Sequence, residues 1–181
     1  LFRSELSGTE AALSYVSAWT ANEALFPTLV GPNDVVISDA LNHASLIDSI
    51  RQVRGADRVI YPHSDLDAVE EALKSHANSE VRWVVTDGVF SMEGDIADLA
   101  SLARLCEQYD AVLVADDSHG VGVLGANGRG TAEHFDVLDK VDITTGTLGK
   151  ALGGAAGGYV SASKSVVDIL IQRSRPGLFS N

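Results

Sequence analysis

Lys150 lies in Thr145-Gly146-Thr147-Leu148-Gly149-Lys150-Ala151-Leu152-Gly153-Gly154, thirty-four residues after an apolar run that ends in Asp116. Small residues around the lysine leave room for a flat molecule to approach and for the amine to swing. An amine in that setting can form a Schiff base with an aldehyde. A buried carboxylate upstream can hold a protonated ring nitrogen. Lysine and pyridinium partner together are what pyridoxal 5'-phosphate (PLP) asks of a protein. A glycine-rich stretch with one lysine is also an ordinary loop, so the reading depends on what else the chain supplies.

Four further segments bear on it. Asp116-Asp117-Ser118-His119 follows an apolar run, so one carboxylate can lie inward while His119 reaches over from three residues on. Asn42-His43-Ala44-Ser45 stands at a predicted strand–helix junction, where an imidazole can stack over a flat ring or simply open the helix. Ser17-Ala18-Trp19-Thr20 precedes a helical pattern, and its amides at the positive helix end suit a phosphate as well as a plain cap. In Thr86-Asp87-Gly88-Val89-Phe90-Ser91-Met92-Glu93-Gly94, Ser91 can bond a ring hydroxyl or support a turn. Each signal alone is weak; their order and spacing carry the reading.

Two motifs mislead. Gly120-Val121-Gly122-Val123-Leu124-Gly125 matches the dinucleotide fingerprint literally, but Ala126-Asn127-Gly128-Arg129-Gly130 follows it and breaks a helix where that fingerprint needs one. Gly146-Thr147-Leu148-Gly149-Lys150-Ala151 has neither the glycine spacing nor the Ser or Thr after lysine of a nucleotide-binding P-loop.

The elements that must position these residues alternate. Strands are predicted at Ala12–Tyr15, Val35–Ser38, Arg58–Tyr61, Arg82–Thr86, Ala111–Asp116, Asp142–Gly146 and Gly158–Val160. Helices are predicted at Trp19–Leu29, Ser45–Val53, Leu66–Lys74, Leu99–Tyr109 and Lys164–Arg173, with Asp65 in capping chemistry before the third. This order predicts an α/β domain with a mostly parallel seven-stranded sheet flanked by helices, its ligand beyond the carboxyl ends of the strands. Asp39, Asp87, Asp116 and Gly146 fall at or just after those ends.

Composition sets the outer limits. The 181 residues fit one domain, 45% hydrophobic and 21% charged, with a net charge of −12 that argues against a nucleic-acid surface. No apolar run approaches a membrane span. Cys106 is the single cysteine, which excludes an intrachain disulfide and suits a reducing cytoplasm. Its amphipathic setting predicts a packed thiol. No metal site is expected.

Long, specific stretches make the chain recognisable: SDALNHASLIDSIR, TDGVFSMEGD, DDSHGVGVLGANGRG, TGTLGKALGG and RSRPGLFSN. Through them, nearly the whole chain resembles the α-oxoamine synthases, PLP enzymes of the fold-type I aminotransferase superfamily that condense an amino acid with an acyl-CoA. GTLGKALGGAAGGY together with RPGLFSN is most similar to the branch that joins glycine to acetyl-CoA, giving 2-amino-3-oxobutyrate and CoA, and that runs in reverse in threonine catabolism. Branches that make 8-amino-7-oxononanoate, 5-aminolevulinate or sphingoid bases stay open, as does a non-catalytic subunit, which would be expected to lack Lys150.

The resemblance implies that Lys150 forms the Schiff base, Asp116 pairs with the pyridinium nitrogen, and His119 and Ser91 address the ring hydroxyl. It implies that His43 stacks on the ring and that Ala18, Trp19 and Thr147 hold the phosphate. Ser180 would contribute to a phosphate site shared across a homodimer. Ala18-Trp19 departs from the commoner small-plus-Phe/Tyr pair, but the role falls to the backbone. Residues 1–181 would be a partial PLP-binding large domain, without the family's N-terminal segment and C-terminal small domain. The arginine for the substrate carboxylate belongs to that small domain, so neither Arg173 nor Arg175 is assigned to it. A cytoplasmic location is expected, or a mitochondrial one had a leader been lost.

Overall fold

The computed structural model describes residues 6–154 and 156–179. Seven strands, β1 (Ala11–Tyr15), β2 (Val35–Asp39), β3 (Asp57–Tyr61), β4 (Arg82–Asp87), β5 (Val112–Asp116), β6 (Ile143–Thr147) and β7 (Gly158–Ala162), form one sheet in the order β1-β7-β6-β5-β4-β2-β3. The five strands from β3 to β6 run parallel, and β7 is antiparallel to both β6 and β1. Successive strand side chains point to opposite faces. Val36, Val85 and Val114 therefore enter one core while Ile37, Val84 and Leu113 enter the other. Burial on both faces explains why these strands read as unbroken apolar runs.

The helices that cover those faces are α1 (Ala18–Leu29), α2 (Ala44–Gln52), α3 (Leu66–Ser75), α4 (Leu99–Gln108) and α6 (Lys164–Arg173), with single turns α5 (Thr131–His134) and α7 (Arg175–Leu178). Leu25 and Phe26 of α1, Leu46 and Ile50 of α2 and Leu170 of α6 pack on one side. Leu73 of α3 and Leu102 and Cys106 of α4 pack on the other. The predicted elements are all present, with ends differing by one or two residues. The two single turns were not foreseen, because four residues carry no helical period. Asp65 caps α3 as expected, accepting from Ala68 N at 3.0 Å. Cys106 is a packed thiol, its pKa pushed up to about 12 by burial.

Parallel pairing brings the strand ends into line. Asp87 of β4 lies opposite Asp116 of β5, which lies opposite Thr145 of β6. The loops that leave these ends surround a single rim of the sheet.

The glycine-rich segment after β5 is such a loop, and its glycines have steric jobs. Gly122 and Gly125 take φ of 81° and 80°, and Glu133 accepts from the amides of Asn127 and Arg129 to close the turn. A Cβ on Gly120 would fall on Asp117 Oδ1 and Thr131 Oγ1, whose own hydrogen bond is 2.6 Å long. No helix starts at the fingerprint. Gly120→Ala is expected to destabilise the chain by about 3 kcal/mol, the cost of overpacking a buried polar pair, measured as a shift in denaturant midpoint. A wild-type midpoint would contradict this account of the loop.

Among the described residues no helix is long and apolar enough to cross a membrane, and no group of three or more His, Cys, Asp or Glu could hold a metal ion.

Candidate active site

A cavity of about 220 Å³ opens at that rim, and Ala18, His43, Ser91, Asp116, His119, Thr147 and Lys150 all line it. Seven residues named from the sequence thus meet in one place. Trp19 is not among the lining residues; its side chain is exposed, with its ring edge-on to His43 and centroids 6.0 Å apart. Ser180 lies outside the described residues.

Lys150 enters from the loop after β6, and its Nζ is 2.7 Å from His119 Nε2. An ammonium donating to Nε2 leaves the ring proton on Nδ1. Burial, and then the lysine charge, hold the His119 imidazole below its ordinary range, so it stays neutral near pH 7. Across the cavity Asp116 is 5% exposed and accepts from Ser118 N at 3.0 Å and from Asn22 Nδ2 at 2.6 Å. Both donors are neutral, so neither offsets its charge.

His43 opens α2 and also lines the cavity. Its Nδ1 accepts from Ser45 N at 3.2 Å, which caps α2, and the same ring lines the cavity. The strand–helix corner at Ser17-Ala18 is fixed by close approach: a Cβ on Gly158 would fall on the backbone of Ala18. Ser17 Oγ caps α1 by accepting from Thr20 N at 3.0 Å. The first-turn amides of Ala18 and Trp19 have no acceptor within their own helix, so this end, which lines the cavity together with Thr147, has the polarity that suits an anion. Ser91 rides on a loop pinned by Ala97 N to Gly88 O at 2.9 Å and by His63, whose ring nitrogens meet Asp39 and Asp95 at 3.0 and 3.1 Å.

The sequence reading missed Asn22, Ser45 and Asp87 as parts of this site. Asn22 had a visible signal, a lone amide among Ala21, Ala24, Leu25 and Phe26 on the buried stripe of α1. Asp87 lines the cavity, is 7% exposed, and its Oδ1 has no hydrogen-bond partner among the described residues. Burial, then the neighbouring Asp116, push its carboxyl up to about 8. Asp117, held by Thr131, is pushed up to about 6, mainly by burial.

A carboxyl whose folded pKa is raised favours folding at low pH and loses that contribution as pH rises from its ordinary 3.8 toward about 8. Asp87→Asn should therefore gain stability relative to wild type as pH goes from about 5 to about 9. Parallel denaturation midpoints across that range would refute the assignment.

Three buried carboxyls thus stand near one rim, with Lys150 the one Lys or Arg among the described lining residues. Such a cavity favours a ligand that brings a positive charge to Asp116 and an anionic group to the N-terminus of α1. The chemistry of the lining fits PLP: Asp116 would suit its ring nitrogen, Lys150 its aldehyde and the Ala18–Thr147 corner its phosphate.

Comparison with known proteins agrees. The family model for aminotransferase class I and II matches residues 4–181. The 2-amino-3-ketobutyrate coenzyme A ligase of Escherichia coli is 53% identical over 176 residues, covering 96% of this chain and 44% of that protein. An 8-amino-7-oxononanoate synthase of Geobacter sulfurreducens is also 53% identical, over 173 residues, with the same coverage. Among solved structures, a serine palmitoyltransferase variant from S. paucimobilis with a bound PLP–myriocin aldimine superposes with a TM-score of 0.91 at 30% identity, over 97% of this chain and 44% of that one. The chain spans less than half the length of the curated relatives it matches. With its mostly parallel sheet and this cavity at the strand ends, the chain belongs to the aminotransferase class I and II family and is of α-oxoamine synthase type.

Proposed function

We propose that residues 1–181 form the PLP-binding large domain of an enzyme that condenses glycine with acetyl-CoA to 2-amino-3-oxobutyrate and CoA, and that runs the reverse reaction when supplied with those products. The observation that carries the proposal is the meeting of Lys150, His119 and Asp116 in one cavity, Lys150 Nζ lying 2.7 Å from His119 Nε2. The 53% identity to 2-amino-3-ketobutyrate coenzyme A ligase supports the choice of substrates.

In this proposal Lys150 holds the cofactor covalently, Asp116 holds its ring nitrogen, His43 covers one ring face, and His119 and Ser91 address the ring hydroxyl. Ala18, Trp19 and Thr147 hold the phosphate, with Ser180 contributing across a homodimer. When bound, PLP supplies an electron sink for negative charge at the α-carbon of an amino acid. Once the amine of the amino acid had taken its place on the cofactor, Lys150 Nζ would be the base that takes the α-proton, with neutral His119 orienting it by accepting at Nε2. Asp116, hydrogen-bonded by neutral donors alone among the described residues, would pair with a cationic ring nitrogen. The α-carbon would then bond to the thioester carbonyl carbon, the carbon–sulfur bond would break, and CoA would depart as its thiol with the proton that Lys150 had taken.

A second reading has equal sequence support, the 8-amino-7-oxononanoate synthase at 53% identity. Free-thiol release by the full-length protein separates the two. Release from acetyl-CoA with glycine, and not with alanine or serine, is expected. Preference for a longer acyl-CoA or another amino acid would overturn the substrate assignment while leaving the Lys150 chemistry in place.

A further inference from the structure

Asn22 is completely buried on a helix face that is otherwise apolar. A side-chain amide there destabilises the core unless it is hydrogen-bonded. Its Nδ2 donates to Asp116 Oδ2 at 2.6 Å and to Ser45 Oγ at 2.9 Å, while its Oδ1 is buried without a hydrogen-bond partner among the described residues. The amide is therefore held by its donors alone. Turning it over would set its oxygen against the Asp116 carboxylate. Ser45 Oγ lies 2.7 Å from His43 Nδ1, so the same amide links two residues that line the cavity, Asp116 and His43. Ser49 Oγ donates to Asn22 O at 2.6 Å and ties α2 to this turn of α1.

We infer that Asn22 is a positioning residue, which fixes the Asp116 carboxylate toward the cavity and, through Ser45, the His43 ring above it. The inference rests on the PLP reading only for the identity of the bound ring. Its chemistry follows from the donor. A lysine or arginine at this place would orient Asp116 but neutralise it. A neutral amide supports the negative charge by hydrogen bonding and leaves it available to a cation in the cavity. The other donor to Asp116, Ser118 N, belongs to its own loop, so among the described residues Asn22 alone anchors the carboxylate to a neighbouring helix.

The test is a double-mutant cycle of Asn22→Leu and Asp116→Asn, read in PLP dissociation constant, in visible circular dichroism of bound PLP, and in the unfolding midpoint of the PLP-free protein. Asn22→Leu keeps the volume and removes both donors. It should weaken PLP binding about 10- to 100-fold, the range for a hydrogen bond to a charged group, and change the dichroism of the bound ring. In the Asp116→Asn background the same change should add less than about threefold, because the two residues act as a unit. Additive effects, or wild-type affinity and dichroism in Asn22→Leu, would overturn the inference. If Asn22→Leu does not fold, Asn22→Ala enters the same cycle. If the wild type itself binds no PLP, the proposed function fails. The PLP-free cycle then still decides, since coupled midpoints uphold the Asn22–Asp116 link and additive ones refute it.

Discussion

Lys150→Ala should lower turnover with glycine and acetyl-CoA by about 10⁴-fold, roughly 5 kcal/mol of barrier at 1.36 kcal/mol per tenfold. The proposal gives this amine two duties, covalent attachment of the cofactor and proton transfer at the α-carbon. No other lysine lines the cavity among the described residues, so no neighbour can take over either duty. His119, 2.7 Å away, is kept neutral by burial and by the lysine charge. With the charge removed, the imidazole should titrate at a higher pH in the variant, a secondary sign of the contact. Rate assays on the full-length protein check the first effect and imidazole NMR the second. Turnover within tenfold of wild type would remove Lys150 from the mechanism.

Asp116→Asn should cost about 10³-fold in turnover, roughly 4 kcal/mol, with a much smaller effect on stability. The substitution keeps the shape and removes the charge. The oxygen of the introduced amide can still accept from Ser118 N or from Asn22 Nδ2, but its NH₂ group must then face the other of those donors. That conflict is local and should shift stability by no more than one lost buried hydrogen bond, about 1–2 kcal/mol. The rate effect is electrostatic: a neutral partner no longer stabilises a cationic ring nitrogen. Steady-state kinetics and denaturation of one preparation separate the two quantities. A variant that loses stability in proportion to rate would show Asp116 to be structural.

The strands and long helices were legible because their side chains repeat at periods of 2 and 3.6 and because buried parallel strands stay apolar throughout. Lys150, Asp116, His119 and His43 were legible because each sits at a strand end or in the loop after one, where a parallel sheet collects its ligand. The dinucleotide fingerprint was rightly set aside from sequence, but its reason was not visible. Gly120 is small because Asp117 and Thr131 bond across it, a contact between segments fourteen residues apart. Asp87 was noted as a strand-end residue and not as part of the site. Its place there depends on register against Asp116, which local pattern does not reveal. Asn22 was missed for a similar reason. A polar residue on an apolar helix face signals something buried, but its partner is ninety-four residues away.

The most direct test of the central claim is borohydride reduction of the full-length protein after incubation with PLP, followed by peptide mass mapping. A phosphopyridoxyl group on the peptide that contains Lys150, absent from the Lys150→Ala variant, is the expected result. Label on another lysine, or none with PLP in excess, would contradict the assignment of this cavity as the site of PLP chemistry.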